Sequence, residues 1–391
     1  MKPSKEAVIV AVADEPLKEG KVAQPGSPLQ IQARCAKAAL AQAGLSLRDV
    51  DGIATAGSWG IPGAGLVATV TLSEYLGIRP TFHLGTNIGG SAFESHVAHA
   101  AVAIESGICD VVLITYGSTQ RSELSRNLAG WPAAFTFQFE TPWGLPTPVG
   151  GYALAAMRHM HEHGTTRKHL AEIAVAARAW AKLNPAATKR DPLTIDDVLN
   201  ARLVCEPLGL LDCCLVTDGG GAIVMTSASH AKANALRPVY VRGYGEASTH
   251  WTVASMPDLA SLTAAEMSSA RAFAMAGVRR EEIDVVEVYD SFTITTLMTL
   301  EALGFAERGG GGEFVSGGRI APGGDFPLNT GGGGLSYAHP GLFGILLLVE
   351  AVRQLRGEVE PERQVDGAKI ALVHGTGGTL SSGATCILSV D

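Results

Sequence analysis

Charge is scarce in this 391-residue chain: Asp, Glu, Lys and Arg together supply 17% of it, against 46% hydrophobic residues. That balance excludes a disordered or fibrous chain and fits a well-buried globular enzyme. No basic run tracks a phosphate backbone, and the net charge is −8, so nucleic acid is not an expected partner. No segment offers the roughly 20 uninterrupted apolar residues of a membrane span. The opening MKPSKEAVIVAVADEP lacks the length and small-residue cleavage pattern of a signal peptide. Cysteine is sparse too. Cys35, Cys109, Cys205, Cys213, Cys214 and Cys386 fit neither a metal pattern nor a disulfide framework, so reduced thiols in a cytoplasmic protein are expected.

Glycine is abundant, with 47 residues, many near the C-terminus where backbone must turn tightly or approach a ligand. The length exceeds one ordinary core, and two units are expected, 1–231 and 237–391. Each opens on a β-branched run, Ala7–Ala13 and Pro238–Gly243. In the first, the pattern predicts helices over Ile31–Ala43 and Ser91–Ser106 and strands over Gly52–Thr55 and Asp110–Tyr116. In the second it predicts a helix over Ser261–Ala276, stopped by Gly277, and a strand over Val285–Tyr289. This order suggests α/β layers around buried strands in parallel order.

Residues from about 119 to 215 read as a loop or lid insertion on the first unit. Trp131, Pro132, Pro142, Trp143, Pro146 and Pro148 mark its loop-like part. Helices follow, one ending at His159, His161 and His163 and another over Ala171–Leu183. Histidines two apart do not share a helix face, so a solvated or lid helix is expected there and no metal site.

Three segments carry chemistry. In VVEVYDSF (Val285–Phe292), a buried strand delivers Tyr289 where open α/β sheets place ligands, and Asp290 or Ser291 suits capping or backbone bonding. In NTGGGGLSYAHPGLFG (Asn329–Gly344), four glycines precede Ser336, Tyr337 and His339, and His339 suits a donor to a developing oxyanion. In ALVHGTGGTL (Ala371–Leu380), His374 enters a turn whose N–H groups over Gly375–Gly378 could point at an oxygen.

Together with the DGGGAIVM strand at Asp218–Met225, these segments resemble the thiolase superfamily, and more narrowly its sterol-carrier or lipid-transfer branch, over essentially the whole chain. The resemblance implies the thiolase fold, an α/β architecture of two similar α-β-α-β-α domains in a five-layered arrangement. It implies an acyl-CoA substrate, with coenzyme A as part of that substrate and no permanently bound cofactor, and a homodimer. The branch usually supplies a histidine and then a cysteine where this chain has Tyr289 and Ser291. Its nucleophilic cysteine opens a helix, and counting back from Gly107 reaches Gly90 and Ser91, with no cysteine nearby.

Without a thiol at Gly90 no acyl-cysteine can form, and an unassisted Ser91 hydroxyl is a poor nucleophile. An oxyanion hole without a nucleophile still stabilises a thioester enolate. The expected function is therefore a thiolase-family enzyme making or breaking a C–C bond next to a CoA thioester, aldolase-like. Tyr289, His339, Ser291, Asp290, Tyr337 and Ser91 are its candidate catalytic residues. Gly90, Asn329, His374, Gly377 and Gly378 are candidates for oxyanion or substrate binding. Lipid-transfer aldolases of this fold work with an OB-fold, zinc-ribbon accessory subunit, which the resemblance implies as a partner. They also carry a tyrosine where this chain keeps His339. The alternative is a catalytically silent homologue that binds acyl-CoA or scaffolds a partner.

Overall fold

The computed structural model describes residues 5–57, 67–123, 138–145, 148–233 and 236–391. Trp131, Pro132 and Pro146 lie outside the described residues. Nine strands form one sheet: β1 (Ala7–Asp14), β2 (Gly52–Ala54), β3 (Phe82–Leu84), β4 (Val112–Ser118), β5 (Gly219–Ser227), β6 (Val239–Ser248), β7 (Val285–Val288), β8 (Ile370–Gly377) and β9 (Ser382–Ser389). Their order is β7-β8-β9-β6-β1-β5-β4-β2-β3. The expected parallel order holds within part of each half and is corrected to a mixed one for the whole sheet. Pairs β2–β3, β2–β4 and β7–β8 are parallel, while β1, β5, β6 and β9 join their neighbours antiparallel. The reason is local: β8 returns directly into β9 through Gly378–Ser381, too short for a crossover helix.

The sheet folds around a shared middle layer. Helices α3 (Ala92–Glu105) and α9 (Gly344–Arg356) lie there, packing Phe93, Val97, Leu346 and Val349 against the inner faces of both halves. Outside the first half lie α1 (Pro28–Gln42) and α2 (Ala68–Leu76), burying Ile31, Leu40 and Leu72. Outside the second half lie α7 (Thr263–Ala276) and α8 (Thr293–Ala302), burying Ala272, Ile294 and Leu297. The result is five layers, α-β-α-β-α, with β1 and β6 meeting at the seam through Val8–Tyr240 and Ile9–Val239.

Several helices begin earlier than the apolar pattern suggests, because caps set their ends. Ser27 and Gln30 form a reciprocal capping box, with Pro28 in the first turn of α1. Thr166 does the same for α5 (Arg167–Leu183), and Thr194 for the short α6 (Ile195–Leu199).

The described residues between 119 and 215 are largely helical. The helices α4 (Val149–His163) and α5 pack Tyr152, Ala156, Leu170 and Ile173 into the core that holds α8. The solvated-helix expectation fails at His159, which is fully buried: its Nδ1 meets Thr165 Oγ1 at 2.8 Å and its Nε2 meets Glu301 Oε2 at 3.1 Å. Among the described residues there is no cluster of metal-ligating side chains and no helix long and apolar enough to cross a membrane.

Candidate functional site

Strand alternation decides which side chains reach the middle layer. Along β7, Val285 and Tyr289 face it, while Val286 and Val288 face the outer helices. The Tyr289 N–H donates to the His374 carbonyl at 3.0 Å, extending the β7–β8 ladder by one step. The phenol therefore emerges inward at the C-terminal end of β7, an end strand of the sheet, and is 4% exposed.

The Tyr289 hydroxyl lies 2.8 Å from His339 Nε2 and 3.2 Å from the Gly341 carbonyl oxygen, and the Phe343 N–H donates to it at 3.3 Å. Burial holds the phenol well above its ordinary range and drives His339 down to about 4, so both are neutral near pH 7. A neutral imidazole at hydrogen-bond distance from a neutral phenol can exchange a proton with it in either direction. The remaining ring nitrogen, His339 Nδ1, is buried with no hydrogen-bond partner. The backbone of His339 is fixed by Thr217, whose Oγ1 accepts its N–H at 3.0 Å.

Gly90 is the other wall. A Cβ built there would lie 2.1 Å from Tyr289 Cε2 and 2.6 Å from the Thr376 carbonyl oxygen, closer than real Cβ atoms approach. The position the resemblance matches to a nucleophilic cysteine is thus filled by the tyrosine ring. Gly89, at φ +76°, passes equally close to the Gly377–Gly378 backbone, and Gly377 lies against the Ile88 carbonyl. These glycines serve backbone-to-backbone approach between the start of α3 and the end of β8.

Behind Tyr289, Asp290 accepts hydrogen bonds from Gly334 N at 2.6 Å and Leu335 N at 3.1 Å. Burial nevertheless raises its pKa to about 7. It thereby pins the glycine-rich turn that carries His339 instead of capping α8. Asn329, at φ +51°, accepts the Val288 N–H through Oδ1 at 2.8 Å and so fixes the strand end. Ser291 Oγ pairs with Thr295 Oγ1 at 3.0 Å.

Three candidates lie apart. The Ser91 hydroxyl is engaged by the Ile88 carbonyl at 3.1 Å and by Ser382 Oγ at 2.8 Å. Tyr337 donates to Asp14 Oδ2 at 2.5 Å, beside Arg353, in a separate polar cleft of about 260 Å³. His374 points through the opposite face of β8, its Nδ1 2.8 Å from Thr385 Oγ1, with burial lowering its pKa to about 3.

Two further groups border this site, Tyr152, which carried no sequence signal, and Cys214, whose type reads in sequence as a packed thiol. Tyr152 of α4 donates to the Gly378 carbonyl at 2.9 Å and stacks on Phe292 with centroids 4.3 Å apart. Cys214, half-buried, donates its N–H to the Ser291 carbonyl at 3.0 Å, and burial pushes its thiol well up. It is thus no ready thiolate.

Comparison with known proteins accords with this geometry. Residues 245–390 match the family described as Thiolase C-terminal domain-like. The chain is 35% identical over 373 residues to 17-hydroxy-3-oxo-4-pregnene-20-carboxyl-CoA lyase of Mycobacterium tuberculosis, covering 91% of this chain and 93% of that one. It is 35% identical over 315 residues to acetyl-CoA acetyltransferase of Methanothermobacter thermautotrophicus, covering 78% and 82%. Among solved structures, the "Ltp2-ChsH2(DUF35) aldolase" superposes with a TM-score of 0.86 at 30% identity, covering all of this chain and 98% of that one.

Proposed function

Because the chain belongs to the thiolase superfamily, in its sterol-carrier type, we propose that it breaks or makes a C–C bond beside a CoA thioester by enolate chemistry. It is an enzyme of that superfamily, and its substrate is a CoA thioester. One observation carries the aldolase reading: the Tyr289 phenol, bonded to neutral His339, fills the space over Gly90 where a nucleophilic thiol would stand.

In the cleavage direction, the β-hydroxyl of the acyl-CoA passes its proton to the Tyr289 oxygen as the phenol proton moves to His339 Nε2. The Cα–Cβ bond then breaks, the oxygen-bearing carbon leaves as a ketone or aldehyde, and the bonding pair becomes the thioester enolate. The imidazolium of His339 stabilises that enolate, and the proton returns through Tyr289 to Cα, giving the shortened acyl-CoA. A phenol held so far above its ordinary pKa makes a standing phenolate too costly, so a concerted relay to His339 is the route the electrostatics favour. The unsatisfied His339 Nδ1 leaves capacity for a ligand oxygen, and satisfying such a buried group is worth about 1–3 kcal/mol. Asp290 and Asn329 position this pair, and Gly90, Gly377 and Gly378 supply the close backbone approach.

The acyl group we favour is a β-hydroxylated steroid side chain, as in the similar lyase. A homodimer is supported by β3, a terminal strand of the sheet with an unpaired edge among the described residues. An OB-fold, zinc-ribbon accessory subunit is supported by the DUF35 component of the similar aldolase. A cytoplasmic setting accords with six free cysteines.

The test is to incubate the protein with 17-hydroxy-3-oxo-4-pregnene-20-carboxyl-CoA and follow ketone and acyl-CoA release. Tyr289→Phe should abolish cleavage while leaving CoA-thioester binding intact, and an unchanged rate removes Tyr289 from the mechanism. The filled position at Gly90 also favours a second reading, a silent acyl-CoA-binding homologue. That reading fails if turnover is lost in His339→Ala while binding persists.

A further inference from the structure

Glu94 lies in the first turn of α3, one helical turn beyond Gly90, and is 1% exposed. Neither of its carboxyl oxygens has a hydrogen-bond partner. Two glycines make room for it. A Cβ on Gly344, the first residue of α9, would lie 2.6 Å from Oε2 and 2.8 Å from Oε1, and one on Gly375 of β8 would lie 2.3 Å from Oε2. The carboxyl is thus wedged between the start of α9 and the inner face of β8.

Its surroundings hold no countercharge. From β9, the Cys386 thiol donates to the Glu94 carbonyl, and burial keeps that thiol protonated. On its own helix His96 is driven down to about 4 by burial, with Nε2 on the Thr86 carbonyl at 2.9 Å, and is neutral. From α9 and β8, Gly344 and Gly375 face it. The Glu246–His99 ion pair lies at the surface.

The same place borders the reaction site from behind. The Phe343 N–H, one residue before Gly344, donates to the Tyr289 hydroxyl, and a Cβ on Gly344 would meet the Gly90 carbonyl at 2.3 Å. The N-termini of α3 and α9 therefore converge on Tyr289 from one side, with Glu94 lodged between them. Helix N-termini carry partial positive charge, which favours an oxyanion in front of them and equally favours a carboxylate behind them.

We propose that Glu94 is a proton-controlled positioning residue for the enolate site. Uncharged, it leaves both helix N-termini free to favour negative charge on the substrate. Ionised, it takes that capacity for itself and repels the enolate. Burial raises the Glu94 pKa to about 8, which places the changeover just above neutrality. This role rests on the enolate reading given above. It predicts an alkaline limb of activity that belongs to a residue touching neither substrate nor Tyr289.

The experiment follows cleavage of 17-hydroxy-3-oxo-4-pregnene-20-carboxyl-CoA against pH by the full chain, by Glu94→Gln and by Glu94→Met. Wild-type kcat should fall about tenfold between about pH 7 and pH 9, as expected for one ionisation near 8. Both variants, which cannot ionise there, should keep their own ratio between the same two pH values near one. Infrared spectra of the unliganded protein near neutrality should show a protonated-carboxyl band in the wild type that Glu94→Gln removes. Loss of that band at higher pH should track the loss of kcat. If Glu94→Gln keeps the wild-type alkaline limb, or if the band is absent, the inference is overturned and the enolate reading stands. If the wild type cleaves nothing at any pH, the enolate reading falls first and this role falls with it.

Discussion

Gly90→Ala adds one methyl group and should disable the enzyme. The added carbon would stand 2.1 Å from Tyr289 Cε2, whereas ordinary van der Waals contact begins near 3.4 Å. The ring must therefore move by about 1 Å or more, and the Thr376 carbonyl, 2.6 Å from the same point, blocks relaxation of Gly90 the other way. Tyr289 holds His339 at 2.8 Å, so a shift of that size breaks the relay bond. Misplacing a reacting group by about 1 Å costs about 100-fold in rate, and full loss of acid–base assistance costs about 100- to 10,000-fold. Overpacking should lower stability by about 1–3 kcal/mol. Denaturant unfolding and kcat for the lyase substrate measure the two effects separately. With Tyr289→Ala already present, Gly90→Ala should cost no further stability, because the clashing ring is gone, and turnover should stay lost. A Gly90→Ala protein with wild-type kcat and stability would refute the claim that the tyrosine occupies the thiol position. By the same argument Gly90→Cys alone should not release CoA thiol from acetyl-CoA and acetoacetyl-CoA, since its side chain has no room beside Tyr289.

Other outcomes follow from charge and position. His339, lowered to about 4, should leave kcat/KM flat through neutrality and cut it as pH falls through about 4, where protonation removes the relay acceptor; a limb centred near the ordinary histidine value would contradict its burial. Asp290 has its folded pKa raised to about 7, so its share of stability is present below about 4 and is lost as pH rises towards 7. Asp290→Asn should flatten the stability–pH curve over that window, read by denaturant midpoints. Glu94 follows the same sign, from about 4.5 to about 8, a stability loss on the order of 5 kcal/mol that Glu94→Gln should largely remove above pH 8. Tyr337→Phe should change cleavage little, because its hydroxyl serves Asp14, and a Tyr289-sized loss would reassign the relay.

The layers, the strand ends and the glycine turns were legible because apolar runs, caps and punctuation are local. Tyr289 and His339 were both readable as chemistry-bearing, yet their pairing spans 50 residues, with the α9 N-terminus arriving beside them. Alternation along β8 puts Val373 and Gly375 inward and His374 outward, so a histidine beside a glycine turn looked functional while facing the outer helices. Glu94 was invisible for another reason: an acid in the first turn of a helix normally reads as a solvated residue favoured by the helix dipole. Only tertiary packing shows it buried.

The seam between β1 and β6, with α3 and α9 lodged in one common layer, bears on how such a chain can diversify. The proposed reaction site draws Gly90 from the first half and Tyr289, His339 and Phe343 from the second, and the walls of each are set by the other. Neither half holds the whole of the proposed centre, so recombination that exchanges one half alone would pair a wall shaped for one side chain with a wall shaped for another. A change of chemistry at this site therefore calls for matched substitutions on both sides of the seam. A chimera library crossing over near residue 237 should show that as a bimodal split, with active members only where both parents carry the same residue pair at 90 and 289.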